Sequence, residues 1–534
     1  MDIDCIPFKE TGYFSKLICD YLEEKTQLQP FYNRFPSLEN FKGQIDEKKI
    51  NYPKKNRAVL SEALERQYKT STVSKSTQRN ISILKDDNTF TVVTGHQLNL
   101  FTGPLYFLYK IISTINLTKE LKKTYPEYNF VPVYWMATED HDFEEINYFN
   151  FKGKKLQWNH MASGAVGKLP TKALDAIYEA FSITLGTSRN ADVLKQLFSE
   201  AYLKHQHLTD ATRYLANELF GSYGLVIVDG DDGDLKRLLI PFAKKDIFEN
   251  CAFTKVTETV SELSKLPENY GIQVNPREIN YFYLIDGLRG RIVEQDGKYA
   301  VDGHNISWKK NELLKELDAF PERFSPNVIS RPLYQEVLLP NLCYIGGGGE
   351  LAYWMELKSS FDAMEITFPM LLLRNSALVI REKQVDKIKK LHLKIEDLFL
   401  GQSSFINKKI REISNVDIDF SPQKTYLEDQ FKELYTLAGQ TDASFLGAVK
   451  AQEVKQKKGL DHLEKRLLKA QKRKLKDHVV RMTDIQNDLF PNQSLQERSL
   501  NFSELYLEYG QELISYLFDA LQPLSMEFAI LKMK

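Results

Sequence analysis

Glu139-Asp140-His141-Asp142 sets a histidine among three carboxylates in four consecutive residues. A histidine between carboxylates has its protonated form favoured, and it can protonate a leaving oxygen or hold developing phosphate charge. The same side chains could bind a divalent metal. On an extended segment Glu139 and His141 fall on one side, Asp140 and Asp142 on the other, so one ligand meets only part of the cluster. A structural role competes with a chemical one: Asp140 or Asp142 could cap a helix over Phe143–Ile146.

Gly95-His96-Gln97 is a second polar cluster, and Thr102-Gly103-Pro104 follows it. Gly95 permits close backbone approach to a ligand, and Pro104 suits the first position of a helix. Free amides at that helix start could hold phosphate or carboxylate oxygens. The pattern is neither a Walker loop nor GxGxxG. Farther along, four glycines, Gly346–Gly349, run into Glu350, and Arg331-Pro332 offers a bidentate donor. A glycine run can cradle an anion or serve only as a hinge. The candidate catalytic set is therefore His141, Asp140, Asp142 and His96. Gly95, Gln97, Gly103, Glu139, Arg331, Gly347, Gly348 and Glu350 are candidate binding residues. No dedicated metal site is expected.

These residues need a scaffold that gathers them. Thr91–Thr94 and Phe130–Trp135 are short apolar, β-branched runs on either side of a helical pattern, which predicts a βαβ unit. Both polar clusters then sit at carboxyl ends of parallel strands, where open α/β sheets bind ligands. Gly224–Asp229 reads as a third such strand, ending in Asp229, Asp231, Asp232 and Asp234. Asn327–Ser330, Cys343–Ile345 and Met370–Leu373 read as further strands. Alternation over Tyr281–Ile285 and Arg291–Glu294 predicts a small antiparallel insertion within 270–308.

The chain has 534 residues, too many for one ordinary core. Apolar residues are 43% and charged residues 27%, the composition of a soluble globular protein, and a net charge of −1 gives no pull toward nucleic acid or membrane. No apolar run is long enough to span a bilayer, and the first residues lack the basic start and apolar core expected of a signal peptide. Cys5, Cys19, Cys251 and Cys343 form no CxxC pair, so a reducing cytoplasm is expected. Residues 1–90 are expected to be mainly helical, 91–378 to form the Rossmann-like core with insertions, 379–492 a helical antiparallel coiled coil, and 493–534 a tail packed on the core. In the coiled coil, Val385, Ile388 and Ile395 make one stripe and Leu475, Met482 and Leu489 another, with a joining loop near Asp417–Pro422. Residues 450–481 carry twelve Lys/Arg against four Asp/Glu, which reads as the solvated outside of a coiled coil more readily than as a nucleic-acid surface.

Four segments together resemble the cysteine-adding ligases of bacillithiol biosynthesis: VVTGHQLNLFTGPLYFLYKIIS at 92–113, PVYWMATEDHDFEEIN at 132–147, ISRPLYQEVLLPNLCYIGGGGELAYWMELKSSF at 329–361 and LLLRNSALV at 371–379. The tail Leu495-Gln496-Glu497-Arg498 also fits. The resemblance implies a Rossmann-type core like that of class I aminoacyl-tRNA synthetases, with two connecting-peptide insertions, and a coiled coil that forms a homodimer. It adds Tyr353 and Asn375 to the expected binding residues. It implies addition of cysteine to glucosaminyl-malate, with ATP (or ADP) as the nucleotide and the cysteine carboxylate as the activated group. Two other readings use the same features: a non-catalytic homodimeric nucleotide-binding scaffold, and an RNA-directed nucleotidyltransferase suggested by the basic helix.

Overall fold

The computed structural model describes residues 2–69 and 71–533. Its central sheet has five strands: β1 (Thr89–His96), β2 (Asn129–Met136), β3 (Val226–Asp229), β4 (Asn341–Gly346) and β5 (Met370–Leu373). Their order across the sheet is β5-β4-β1-β2-β3, and every neighbouring pair is parallel. This is the Rossmann order, with the change of direction between β1 and β4. All eight residues of β1 are buried, so it lacks the polar alternation of a half-exposed strand.

Register brings three strand ends level. His96 on β1 pairs with Met136 on β2, and Met136 pairs with Asp229 on β3. Helix α1 (Tyr106–Thr124) connects β1 to β2, and α2 (Gly233–Glu249) follows β3. Helix α3 (Arg331–Leu338) leads into β4, and α4 (Gly348–Glu356) leaves it.

The turn between β1 and α1 has positive φ at Phe101, Thr102 and Gly103. Two of these are not glycine, a conformation that needs outside support. Phe101 supplies it by packing against Phe149, Phe181, Phe198 and Phe502. Asn501 donates to the Phe101 and Gly103 carbonyls at 2.8 and 2.7 Å.

An antiparallel sheet is inserted between β3 and β4, with strands Tyr281–Ile285, Leu288–Gln295, Lys298–Val301, Ser307–Lys309 and Phe324–Pro326. The strand expected at Asn327–Ser330 is displaced upstream to Phe324–Pro326. Residues 327–330 form a turn in which Asn327 Oδ1 accepts from Ile329 and Ser330 amides, so Arg331 starts a helix.

The chain divides into two compact units. The first takes Met1–Lys9, Tyr13–Leu378 and Gln496–Leu531; the second takes Glu10–Gly12, Val379–Leu495 and Lys532–Lys534. The N-terminal part is helical except for a strand at Asp2–Pro7. Among the described residues no helix is long and apolar enough to cross a membrane.

The second unit is built of α5 (Glu382–Lys390), α6 (Gln402–Ile413), α7 (Ser421–Ala438), α8 (Ala443–Lys474) and α9 (Lys476–Leu489). The long antiparallel pair is α7 with α8, so its turn falls at 439–442 rather than near Asp417–Pro422. Phe431, Ala438 and Val449 form the seam. Ion pairs from Lys424 to Asp461 and Glu464, and from Lys457 to Glu428, fasten the two helices. Met482 and Leu489, expected on one stripe with Leu475, are buried, so they offer no open face for a second chain.

Within the first unit, Arg374 donates to Glu497 at 2.7 Å, and both side chains are almost wholly buried. Glu497 also accepts from Ser376 Oγ and the Ala377 amide. Removing one partner of such a pair strands the other charge. Glu497→Ala should cost about 3–5 kcal/mol, read as a lowered urea midpoint for the first unit; a midpoint unchanged from the parent would contradict this.

Candidate active site

A cavity of about 560 Å³ opens beyond the carboxyl ends of β1, β2 and β4. Strand β1 contributes Gly95, His96 and the following Gln97; the turn after β2 contributes Glu139, Asp140, His141 and Asp142; β4 and its helix contribute Tyr344, Glu350 and Tyr353. The rest of the wall includes Arg331 and three residues of the insertion region, Arg277, Arg289 and Arg291. Ten of the sequence-derived candidates therefore meet at one place. Four do not line it. Gly103 lines a separate cavity of about 300 Å³ with Asn99, Tyr106 and Arg498. Gly347 and Gly348 are the start of α4. Asn375 is spent on structure: Oδ1 accepts from Ser113 and Nδ2 donates to the Gln522 carbonyl.

The glycine run does not act through left-handed backbone; among Gly346–Gly349 no φ is positive. Space is the reason at Gly346, where a Cβ would come within 2.8 Å of Tyr344 Cε1. The Gly347 amide donates to Glu350 at 2.8 Å, so it closes its own helix start rather than waiting for an anion.

The acidic cluster is a turn, not an extended strand. Asp140 Oδ1 accepts the His141 amide at 2.8 Å. Gln97 reaches across from β1 to donate to Asp140 at 3.1 Å and Glu145 at 2.9 Å. Burial raises the Asp140 carboxyl, but bonds from His141 and Gln97 outweigh it and hold the pKa at about 2. Asp142 precedes the helical turn at Phe143–Ile146 without a side-chain cap. Glu139 is ion-paired with buried Lys236, which also lies 3.4 Å from Asp231.

His141 has a partner that sequence spacing did not reveal. Arg289 Nη1 stands 2.6 Å from His141 Nδ1, and the guanidinium lies over the Phe282 ring. Arginine only donates, so Nδ1 is the acceptor and the ring proton sits on Nε2. The carboxylates of Asp140 and Asp142 are farther off, at 3.6 and 3.9 Å. The three side chains could still meet one cation, with ligand atoms within 4.8 Å of one another, but the guanidinium beside them opposes a second positive charge.

His96 is not placed as a proton donor. It is buried against Tyr106 and Phe107. Burial, with nearby Lys110 next in weight, pushes its pKa down to about 3. Its Nε2 has no hydrogen-bond partner among the described residues. A neutral, buried histidine that lines the cavity is suited to accepting or donating a hydrogen bond rather than to acid catalysis.

Sequence reading also missed Lys110, whose ammonium lies 2.6 Å from Glu350 and 2.7 Å from the Gly95 carbonyl. It is the lone charge in the apolar run Leu105–Ile115, and that isolation is the signal that could have found it. Arg289 and Arg291 alternate on one strand and so share a face, a second signal.

The arrangement is a Rossmann-like α/β core with an insertion-walled polar cleft at its switch point, joined to a helical unit. Residues 1–375 match the family model described as "Bacillithiol biosynthesis BshC, N-terminal Rossmann-like domain". Residues 377–533 match "Bacillithiol biosynthesis BshC, C-terminal coiled-coil domain". The chain belongs to the BshC family of bacillithiol biosynthesis. It is 60% identical to a protein of Christiangramia forsetii named "Putative cysteine ligase BshC", over 99% of both chains. Relatives of the same name in Flavobacterium johnsoniae and Cytophaga hutchinsonii are 58% and 36% identical, covering 99% and 98% of this chain and 100% and 97% of theirs. The resemblance read from the sequence segments thus holds along the whole chain.

Glu356, at the far end of α4, bears on the cavity wall indirectly. It accepts the Gln273 and Val274 amides at 2.8 and 3.2 Å, just ahead of cavity residues Asn275 and Arg277. Burial outweighs these two bonds and raises its pKa from 4.5 to about 7. A carboxyl raised on folding holds its proton while the unfolded chain loses it, so stability falls as pH climbs from about 4.5 to 7. Glu356→Gln removes that ionisation. In thermal melts the variant should gain on the parent between pH 5 and pH 8; a constant difference across that range would refute the assignment.

Proposed function

We propose that this protein is a ligase that joins cysteine to the amine of glucosaminyl-malate in bacillithiol biosynthesis. Full-length identity to relatives named as cysteine ligases carries the reading, and the cavity chemistry suits it. Both substrates pair carboxylate with amine. Arg277, Arg289, Arg291 and Arg331 supply guanidinium groups on one wall, the donors that match carboxylates and phosphates. Asp140 and Glu350, both held at about 2, stay ionised at neutral pH and suit ammonium groups.

Forming the amide removes an oxygen from the cysteine carboxylate and a proton from the sugar amine. ATP, which fits the anion-binding wall and the position at the switch point, would supply the activation. His141 presents Nε2–H toward reacting groups and is held in that tautomer by Arg289. Buried Glu139–Lys236 braces the loop beneath it.

The test is thiol profiling of cells lacking the gene. Glucosaminyl-malate should accumulate and bacillithiol disappear, and the parent gene should restore it; unchanged thiols would overturn the reading. His141→Ala, purified and shown to melt like the parent, should lose about 10²–10⁴-fold in turnover. Parental turnover in that variant would remove His141 from the chemistry.

The protein works in the cytoplasm as a homodimer formed through its helical unit. Tyr426, Leu434 and Leu437 on α7, and Phe445, Val454 and Leu463 on α8, stay exposed. One hairpin leaves this apolar surface open, and a second copy would cover it. Leu437→Glu with Leu463→Glu should give monomers in light scattering while the parent is a dimer. A dimeric double variant, or a monomeric parent, would sink the assembly.

A further inference from the structure

Lys110 is a charged residue in a place where charge is expensive. Its side chain is 4% exposed, inside a helix that is otherwise apolar around it. An unpaired ammonium there would carry a large desolvation cost, so its partners define its purpose. It has two. The Gly95 carbonyl, at the end of β1, accepts from Nζ at 2.7 Å. The Glu350 carboxylate, in the first turn of α4, lies 2.6 Å away.

Glu350 is itself a junction. Oε1 accepts from Tyr344 Oη at 2.7 Å, and Oε2 accepts the Gly347 amide at 2.8 Å. Tyr344 is on β4 and, with Gly95 and Glu350, lines the cavity. One ammonium therefore spans the gap between β1 and β4, the point where the connections of the sheet change direction. It does so from behind, for Lys110 is not itself among the lining residues.

We propose that Lys110 is a positioning residue of this site: it holds Glu350 as a carboxylate in the cavity and ties the start of α4 to the end of β1. Glu350 is further influenced by Arg331 from α3, Arg374 after β5, Tyr353 on α4, Tyr106 on α1 and His96 on β1. Lys110 is the closest cation and the dominant one; it offsets the burial that would otherwise raise the carboxyl, which stands at about 2. The consequence for binding rests on the ligase reading above: Glu350 is a fixed anion for a substrate ammonium only while Lys110 is beside it.

Two comparisons test this, the first without any activity. Lys110→Met keeps the stem and removes the charge, and Glu350→Gln removes the opposite charge. In Lys110→Met the carboxyl should be protonated at pH 5 and stranded as an anion at pH 9. The double variant should therefore out-melt Lys110→Met by a margin that widens from pH 5 to pH 9, by roughly 2–4 °C. The margin between the double variant and the parent should change less over the same range than that between the double variant and Lys110→Met, because Glu350 is ionised throughout in the parent. A flat margin between Lys110→Met and the double variant overturns the proposal. If Lys110→Met is insoluble, a soluble double variant supports it, and an insoluble one beside a folded Glu350→Gln overturns it.

The second comparison is catalytic. Lys110→Met, Glu350→Gln and the double variant should each lose roughly 10²-fold in cysteine-dependent kcat/KM, with the double no worse than Glu350→Gln alone. Additive losses, or full activity in Lys110→Met, overturn the positioning role. A parent protein that turns over no cysteine sinks the ligase reading and leaves the melting comparison to decide for Lys110.

Discussion

A parallel sheet lets side chains of distant segments meet in one place only, beyond the carboxyl ends of its strands, and this sheet sets three of those ends level. The rest of the site follows from that register. His96, Met136 and Asp229 lie in one row, so whatever follows each strand is delivered to a common rim. Between β1 and β4 the connections leave in opposite directions and open a gap. Lys110 fills the back of that gap with one charge and binds its two sides together. This bond adds to the backbone pairing of β1 with β4 and to the bond from the Thr94 hydroxyl to the Ile345 carbonyl.

The electrostatics have a pattern. Three acids of the cavity have a named donor: Lys236 for Glu139, Gln97 for Asp140 and Lys110 for Glu350. At Asp140 and Glu350 such bonds outweigh burial and keep the carboxylates charged, whereas at Glu139 burial still raises the carboxyl against the pull of Lys236. The arginines come from elsewhere, chiefly from the inserted antiparallel sheet. Arg289 bridges the two groups, because it stacks on Phe282 of the insertion and donates to His141 of the core. Core and insertion thus contribute opposite charges to one pocket, which is what a substrate carrying both signs requires.

The scaffold was legible because its signals are local. Buried parallel strands appear as apolar runs, and the βαβ unit needs only the change from period 2 to 3.6. The acid–histidine cluster and the strand-end glycine were legible for the same reason. Arg289 was not, since its contact with His141 joins residues 148 apart in the chain. Asn375 misled because adjacency to a strand end does not say which way an amide points; here it faces Ser113. The glycine run misled differently. Its residues suggest a flexible anion cradle, yet the small size of Gly346 lets the chain pass close to Tyr344 as a helix begins. In the helical unit the heptad spacing of Met482 and Leu489 is real, but spacing cannot distinguish a stripe facing the same chain from one facing another.

The chain leaves the first unit after Leu378 and re-enters it at Gln496, and one buried ion pair stands at both crossings. Arg374 precedes the exit by a few residues, and Glu497 follows the return by one. Their pairing closes a loop of more than a hundred residues, a closure that costs conformational entropy growing only slowly with length. A buried pair is weak support for net stability but good at dictating which segments meet. Glu497 also accepts the Ala377 amide, so it fixes the backbone at the exit itself. The core can therefore be completed by the returning segment whatever the inserted helices contain. The polar chemistry of the cavity stays with the sheet and its insertion, and residues 450–481 contribute nothing to its lining.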